Sequence, residues 1–187
     1  VALATHNNSL FIFGTKQILI YTGANDPATM VLSDSISNTG CVGRDTVQNT
    51  GADIIFLSDT GVRSVLRTIQ EKSAPLRNLS RNVNNDVLDY LNNENGGATV
   101  KSAYSPIDSF YLLTFVLSGV TYCFDTRGAL EDGSSRTTFW PNVKHRAYHY
   151  SKDRILYVGQ VGYLAKYDQY YDNSDSYRMT YYTSWID

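Results

Sequence analysis

The sequence predicts an all-β fold built from repeated antiparallel units, and three observations support this. Short apolar runs rich in Val, Ile, Leu, Tyr and Phe alternate with glycine-bearing turns along the chain. Such runs suit pleated, half-buried strands. Pairs of these runs recur at a regular interval. One stretch, residues 82–94, instead carries apolar residues at helical spacing and predicts a single short helix.

The most apolar of these pairs is Tyr111–Asp125, with the sequence YLLTFVLSGVTYCFD. Two candidate strands, residues 111–116 and 120–125, meet at a turn that contains Gly119. Glycine can adopt the positive φ that a tight hairpin needs. Both arms are too apolar for a surface position, so we expect this hairpin to be covered on both faces.

Three other hairpins share this pattern, and they begin at Leu10, Ile54 and Ile155. In the hairpin that begins at Ile54, the second predicted strand is residues 62–66. With Tyr111, the four starting positions are separated by 44, 57 and 44 residues. The long interval contains the thirteen residues of the predicted helix, and without them it is also 44 residues. A period of 44 residues therefore runs through the chain.

The predicted helix, residues 82–94, is an insertion into this repeat. Its apolar residues on one face are Val83, Val87, Leu88 and Leu91. Asn84 or Asn85 can cap its start, and Asn-Gly-Gly at residues 95–97 can end it.

Each hairpin has a candidate strand before it and a weaker candidate strand after it. The preceding strands are residues 1–4, 46–48, 100–104 and 146–150, and the following strands are 30–32, 76–79, 136–140 and 177–182. Four short strands in each repeat of about 44 residues are typical of β-propeller blades. We therefore predict that residues 1–187 form a propeller or partial propeller domain, as one segment of a longer protein. A β-sandwich is the alternative, but its strands do not require so regular a period.

Charge and cysteine content restrict the possible functions. The net charge of −2 provides no overall basic field for binding nucleic acid. No run of about 18 apolar residues is present, so no membrane span is expected. Cys41 and Cys123 lie far apart in the sequence, without metal or redox spacing, and we expect two free thiols.

Motifs for catalysis and for cofactor binding are absent from the sequence. His145 and His149 would share a face of a helix, but their stretch alternates like a strand. Residues 168–176, DQYYDNSDS, lack the spacing, the glycine and the final glutamate of a calcium loop. No G-x-S-x-G sequence or glycine-rich phosphate loop occurs, and Glu131 and Asp132 are explained as loop charge. We predict no catalytic residues, no metal site, no cofactor and no enzymatic activity.

Two charged blocks and one tryptophan are candidates for an interface. Residues 63–81 carry a net charge of +4 and residues 168–187 a net charge of −3. In a ring, such blocks on neighbouring copies can meet head to tail, although most charged blocks are solvated faces. Trp140 either fills a gap between blades or contacts a partner. The candidate interface residues are Arg63, Arg67, Arg77, Arg81, Trp140, Asp172 and Asp175.

The order of several segments carries a resemblance to a known family. The segments are SLFIFGTKQILIY (9–21), GCVGRDTV (40–47), IFLSDTGV (55–62), the helix (83–91), YSP (104–106), FYLL (110–113) and VTYCFDTR (120–127). This order resembles the tail nozzle proteins of short-tailed bacteriophages, also called tail tubular protein B, and the related packaged-DNA stabilization proteins. The resemblance covers most of the chain and depends on apolar strands with glycine turns.

The resemblance implies a structural role in a virion tail that assembles in the host cytoplasm. Such proteins form a homohexameric ring below the portal and adaptor, retain packaged DNA and conduct it during ejection. The implied partners are copies of the same chain, the portal, adaptor and other tail proteins, and double-stranded DNA that passes without sequence recognition. A glycan-binding propeller module of a phage or bacterial surface protein, using Tyr and Trp in its pockets, is the alternative function. A glycosidase is a weaker third alternative.

Overall fold

The computed structural model describes residues 1–70 and 78–167, together with the backbone of residues 171–172 and 175–176. This part of the chain is mostly β, as predicted, with four antiparallel sheets of three or four strands. In each sheet, the strands lie side by side in the order of the chain. Every pairing is therefore between neighbours in sequence, which short turns can connect.

The strands have the following bounds. Sheet 1 contains β1 Ala2–His6, β2 Ser9–Phe13, β3 Gln17–Thr22 and β4 Val31–Ser37. Sheet 2 contains β5 Gln48–Asn49, β6 Ile54–Ser58 and β7 Gly61–Ser64. Sheet 3 contains β8 Val100–Ser105, β9 Phe110–Phe115, β10 Val120–Asp125 and β11 Thr137–Pro141. Sheet 4 contains β12 Ala147–Tyr150, β13 Leu156–Gln160 and β14 Tyr163–Tyr167, and a separate ribbon pairs β15 Tyr171–Asp172 with β16 Asp175–Ser176.

Two short helices lie between sheets 2 and 3 in sequence. They are α1 Val65–Gln70 and α2 Asn84–Asn92, and the second is the helix predicted from the sequence. Single 3-10 turns occur at Arg44–Thr46, Arg81–Val83 and Asn95–Gly97. None of the helices in the described part of the chain is long and apolar enough to cross a membrane.

The four predicted hairpins are present as β2–β3, β6–β7, β9–β10 and β13–β14. A strand also precedes each hairpin, although Thr46 belongs to a 3-10 turn and β5 starts only at Gln48. Predicted fourth strands are found in sheets 1 and 3, as β4 and β11. The prediction for 76–79 is wrong at Leu79, which lies in a turn, and 177–182 lies outside the described residues.

The predicted strand Val62–Leu66 is too long, because α1 begins at Val65. The reason is a contact with Asp53, whose carboxylate oxygen Oδ1 accepts a hydrogen bond from the backbone N–H of Leu66 at 3.0 Å. The same carboxylate accepts a bond from the hydroxyl of Ser64. Free N–H groups at a helix start need such an acceptor, so this remote carboxylate stabilises the change from strand to helix.

The β9–β10 hairpin is covered on both faces, as predicted. Every residue of β9 is buried. Gly119 closes the turn with a φ of +72°, and its N–H donates to the carbonyl of Phe115 at 2.8 Å. Because side chains alternate along a strand, Tyr111 and Leu113 enter one hydrophobic core while Leu112 enters another.

The four sheets are stacked face to face in the order of the chain, with one apolar core between each neighbouring pair. Core 1, between sheets 1 and 2, contains Phe11, Phe13, Ile18, Ile20, Ile54 and Phe56. Core 2, between sheets 2 and 3, contains Ile55, Leu57, Val62, Tyr111, Leu113 and Phe115 and is also filled by Val87 and Leu91 of α2. Core 3, between sheets 3 and 4, contains Phe110, Leu112, Leu156 and Val158. Sheets 2 and 3 thus contribute to a core on each of their faces.

Neighbouring sheets approach one another most closely along their first strands. The strand β1 lies against β5, β5 against β8, and β8 against β12. Side-chain bonds cross these contacts, such as Asn49 Nδ2 to the carbonyl of Thr5 at 2.6 Å and Gln48 Nε2 to Ser102 Oγ at 3.0 Å. We name this row of first strands, β1, β5, β8 and β12, the converging edge.

Both cysteines are free, as the sequence predicted. Cys41 is buried in core 1 and Cys123 packs against core 3. Burial raises the pKa of the Cys41 thiol and raises that of Cys123 to about 11. Neither thiol is therefore an efficient nucleophile in the folded protein.

We expect both cysteines to react slowly with a disulfide reagent such as DTNB at pH 8 until the protein is unfolded. With a pKa of about 11, Cys123 has about a hundredfold less thiolate at pH 8 than an ordinary thiol. Its labelling rate should therefore keep rising well above pH 9. Release of two thiols per chain in guanidinium serves as the control, and rapid labelling of the folded protein would contradict the prediction.

Candidate functional site

A polar cavity of about 470 Å³ lies at the converging edge, where sheets 2, 3 and 4 meet. The polar and charged residues that line it are Arg44, Asp45, Gln48, Lys101, Ser102, Arg146 and Tyr148. Three cations face one carboxylate, so the cavity has a net positive charge in a chain whose net charge is −2.

The 3-10 turn Arg44–Thr46 places the first two of these residues. The hydroxyl of Thr46 donates to the carbonyl of Gly43 at 2.7 Å, and the hydroxyl of Tyr111 donates to the carbonyl of Thr46 at 2.7 Å. Burial raises the pKa of Tyr111, so its hydroxyl stays protonated and keeps this donor role. The buried β9 strand therefore holds the turn in position.

Gly43 permits a close backbone approach beside this turn. A Cβ at this position would lie 2.5 Å from the carbonyl oxygen of Gly97, which is far closer than van der Waals contact allows. A residue with a side chain would therefore push the turn away from the 3-10 turn Asn95–Gly97.

Asp45 connects the 3-10 turn before sheet 2 to the first strand of sheet 3, on the two sides of the cavity. Its carboxylate accepts bonds from Lys101 Nζ of β8 and, at 2.9 Å, from Arg44 Nε. The bond from Lys101 is the main reason that the pKa of Asp45 lies below its usual value. The hydroxyl of Ser102 also donates to the Asp45 backbone carbonyl at 2.8 Å. These groups are partly exposed to solvent, so the ion pairs position side chains more than they stabilise the fold.

Sheet 4 contributes Arg146 and Tyr148 to the cavity. The Tyr148 hydroxyl lies 2.5 Å from Thr114 Oγ1 and 3.0 Å from His145 Nδ1, and burial raises its pKa. It is therefore neutral and already bonded within the protein. Arg146 is exposed, and its guanidinium has no hydrogen-bond or ion-pair partner among residues 1–70 and 78–167. The backbone N–H of Arg146 donates to the carbonyl of Gly159 at 2.8 Å, which anchors the residue beside β13.

The charged lining of this cavity is suited to an anion. Arginine and lysine N–H groups donate to anionic oxygens, and three different repeats supply them here. The hydroxyls of Ser102 and Tyr148 are engaged in bonds within the protein. Across the residues that the structure describes, no three His, Cys, Asp or Glu side chains are grouped so that they could hold a metal ion.

Three of the predicted interface residues, Arg63, Arg81 and Trp140, have described side chains, and none of the three lines the cavity. Arg63 is only 6% exposed, and its guanidinium donates to the hydroxyls of Ser58 and Thr60 at the β6–β7 turn. Arg81 is exposed and reaches the carbonyl of Asp132 at 3.4 Å. Of the two arginines of the basic block whose side chains are described, one is therefore buried and the other lies at the surface.

Trp140 lies at the boundary between sheets 3 and 4, where it packs against core 3. Its ring stacks on Tyr167 with centroids 6.1 Å apart and an interplanar angle of 12°. The Arg67 side chain, Arg77, and the side chains of Asp172 and Asp175 lie outside the described residues. The proposed meeting of the two charged blocks therefore remains a prediction.

The three cations of the cavity were not predicted from the sequence, although their spacing offers a signal. Arg44, Lys101 and Arg146 each lie nine or ten residues before the hairpin that follows, which begins at Ile54, Phe110 or Leu156. A basic residue thus recurs at nearly the same position in three of the four repeats. Each one is unremarkable alone, and the pattern emerges only when the repeats are aligned.

No protein-family model matches the chain, and no curated protein matches it significantly. Functional inference therefore depends on the sequence motifs and on the arrangement of the sheets.

Proposed function

We propose that the chain is a β-propeller domain of a tail nozzle protein from a short-tailed bacteriophage. In this role it is part of a homohexameric ring below the portal and adaptor, which retains packaged DNA and conducts it during ejection. The observation that carries the proposal is the stacking of four sheets in chain order with their first strands at one converging edge. The segments that resemble nozzle proteins supply the specific family.

The arrangement of the cores favours a propeller over a sandwich. A sandwich has two sheets around one core. Here sheets 2 and 3 each have a core on both faces. The hairpins also recur every 44 residues once the thirteen residues of the helix insertion are excluded. Propeller blades are stacked in this way around an axis, with one strand of each blade nearest the axis. The converging edge corresponds to that axial position.

The outer faces of the two end sheets support assembly with further sheets. In sheet 1, Leu3, Ile12 and Leu19 lie side by side on the face away from core 1, and Leu3 is 68% exposed. In sheet 4, Leu164 is 71% exposed. Contiguous exposed apolar residues commonly mark contact surfaces. Ring closure within the protein or contact between copies would cover both faces.

Mass photometry of the full-length protein, alone and mixed with a portal–adaptor complex, tests this proposal. We expect ring-sized particles that join the complex. The variants Leu3→Lys and Leu164→Lys should weaken assembly or stability because they place a charge on a covered apolar face.

Leu117→Lys is the matched control, since Leu117 is 55% exposed in the β9–β10 turn and lies on neither outer face. If Leu3→Lys or Leu164→Lys lowers the melting temperature but leaves the particle mass unchanged, the sheets that cover these outer faces belong to the same chain. A protein that stays monomeric and never joins the complex would contradict the nozzle role.

The glycan-binding alternative has less support from the geometry. Carbohydrate sites use open aromatic faces, and Trp140 was the aromatic residue expected to provide one. One face of its indole is instead stacked against Tyr167, at the edge of core 3. Trp140 therefore joins two sheets, which fits the gap-filling role that the sequence also allowed.

A further inference from the structure

We infer that the cavity at the converging edge binds a phosphate group, with Arg146, Lys101 and Arg44 as its ligands. This inference stands on the cavity alone and does not require the nozzle role. Two kinds of ligand carry such a phosphate group. One is inorganic phosphate or a small phosphomonoester, and the other is the phosphodiester backbone of a nucleic acid.

The net positive charge of the cavity favours the binding of an anion. Arg44, Lys101 and Arg146 face it against the single carboxylate of Asp45, so the lining has a net charge of +2. Since the chain as a whole carries a net charge of −2, this concentration of positive charge is local. Like charges that share a pocket repel one another, and a bound dianion would relieve that repulsion.

The cations retain N–H groups for a ligand. Asp45 accepts one bond from Arg44 Nε, which leaves the two terminal nitrogens of that guanidinium available. Lys101 uses one of its three donors on the same carboxylate. The whole guanidinium of Arg146 has no partner among the residues that the structure describes. A planar guanidinium can donate two parallel bonds to phosphate oxygens.

The scaffold holds these groups around one space. The 3-10 turn positions Arg44, β8 positions Lys101, and the residue before β12 is Arg146. Each cation therefore comes from a different repeat, and all three line the cavity. Its volume of about 470 Å³ lies within the usual range for small-molecule sites and exceeds the needs of a bare phosphate ion. There is room for the group that carries the phosphate.

Isothermal titration calorimetry of the full chain with sodium phosphate tests the inference, against sodium chloride at equal ionic strength. We expect saturable binding of one phosphate per chain. Arg146→Gln should weaken it about tenfold, because one charge-assisted pair of hydrogen bonds is lost. This variant is not expected to unfold the protein, since Arg146 is exposed.

Arg127→Gln is the matched control, because Arg127 is an exposed arginine bonded to Asp125 and does not line the cavity. Its affinity for phosphate should equal that of the unmodified protein. Asp45→Asn should tighten binding severalfold, since it removes the only carboxylate from the lining. Phosphate should also shift the backbone amide resonances of residues 44–48, 101–102 and 146–148 in NMR spectra.

Binding experiments with two further ligands distinguish a small phosphate-bearing molecule from a nucleic-acid backbone. If glycerol phosphate binds and a 12-base-pair duplex DNA does not compete with phosphate, the ligand is a small molecule. If the duplex competes and Arg146→Gln weakens both, the ligand is a phosphodiester backbone. Two results would overturn the inference. One is that the protein binds no phosphate, and the other is that Arg146→Gln and Lys101→Gln both bind phosphate with the original affinity.

Discussion

Replacing Phe115 by alanine is expected to lower the free energy of unfolding by about 3–5 kcal/mol. Phe115 ends β9 and has no exposed surface. Its ring lies in core 2, with centroids 5.7 Å from Tyr90 of α2 and 6.2 Å from Tyr122 of β10. The substitution removes these contacts and leaves a cavity between a helix and a sheet that cannot fully collapse. Urea denaturation followed by circular dichroism measures the change.

Leu117→Ala provides the control for this prediction. Leu117 lies two residues further along, in the β9–β10 turn, and is 55% exposed. Removing its side chain forms no internal cavity, so we expect a change within about 0.5 kcal/mol. Equal stability of the two variants would contradict the burial of the Phe115 side chain in core 2.

Replacing Glu94 by alanine is expected to lower the free energy of unfolding by about 3 kcal/mol. Glu94 follows α2 and is fully buried. Its Oε1 accepts a bond from the N–H of Ser118 at 2.8 Å, while Oε2 accepts bonds from the N–H of Leu117 at 3.1 Å and the hydroxyl of Thr99 at 2.5 Å. Without this carboxylate, three donors in and beside the β9–β10 turn lose their acceptor. The same denaturation experiment measures the loss.

Glu131→Ala is the matched control, since Glu131 is an exposed glutamate outside this contact. Glu94→Gln should fall between the two, because an amide keeps one acceptor oxygen but turns an N–H₂ donor toward another donor. If Glu94→Ala is no more destabilising than Glu131→Ala, then Glu94 does not hold the β9–β10 turn in place.

Local patterns were sufficient to predict the hairpins. Short apolar runs on either side of a glycine with positive φ specify β9–β10 within a few neighbouring positions, and the same holds for β13–β14. Strand pairing between sequence neighbours needs no distant information. The helix α2 was equally visible, because its apolar face repeats at helical spacing.

Features that depend on distant contacts were not visible in the same way. The strand predicted through Leu66 ends at Ser64 because the carboxylate of Asp53, the residue before β6, accepts a hydrogen bond at the start of α1. Arg63 was predicted as a candidate interface residue from its charge alone. In the structure it is buried, and hydroxyls at the β6–β7 turn accept hydrogen bonds from its guanidinium. A hydrogen-bond partner that lies elsewhere in the chain leaves no periodic trace in the sequence.

The sequence by itself determined an all-β chain with a 44-residue repeat and one inserted helix, because strand and helix periodicity are local properties. Only the tertiary structure decided that the four sheets stack in chain order and converge along their first strands. This convergence brings Arg44, Lys101 and Arg146 around one cavity although they belong to three repeats. The physical reason is that burial of alternate side chains in successive cores fixes how neighbouring sheets face one another, and no single repeat contains that information.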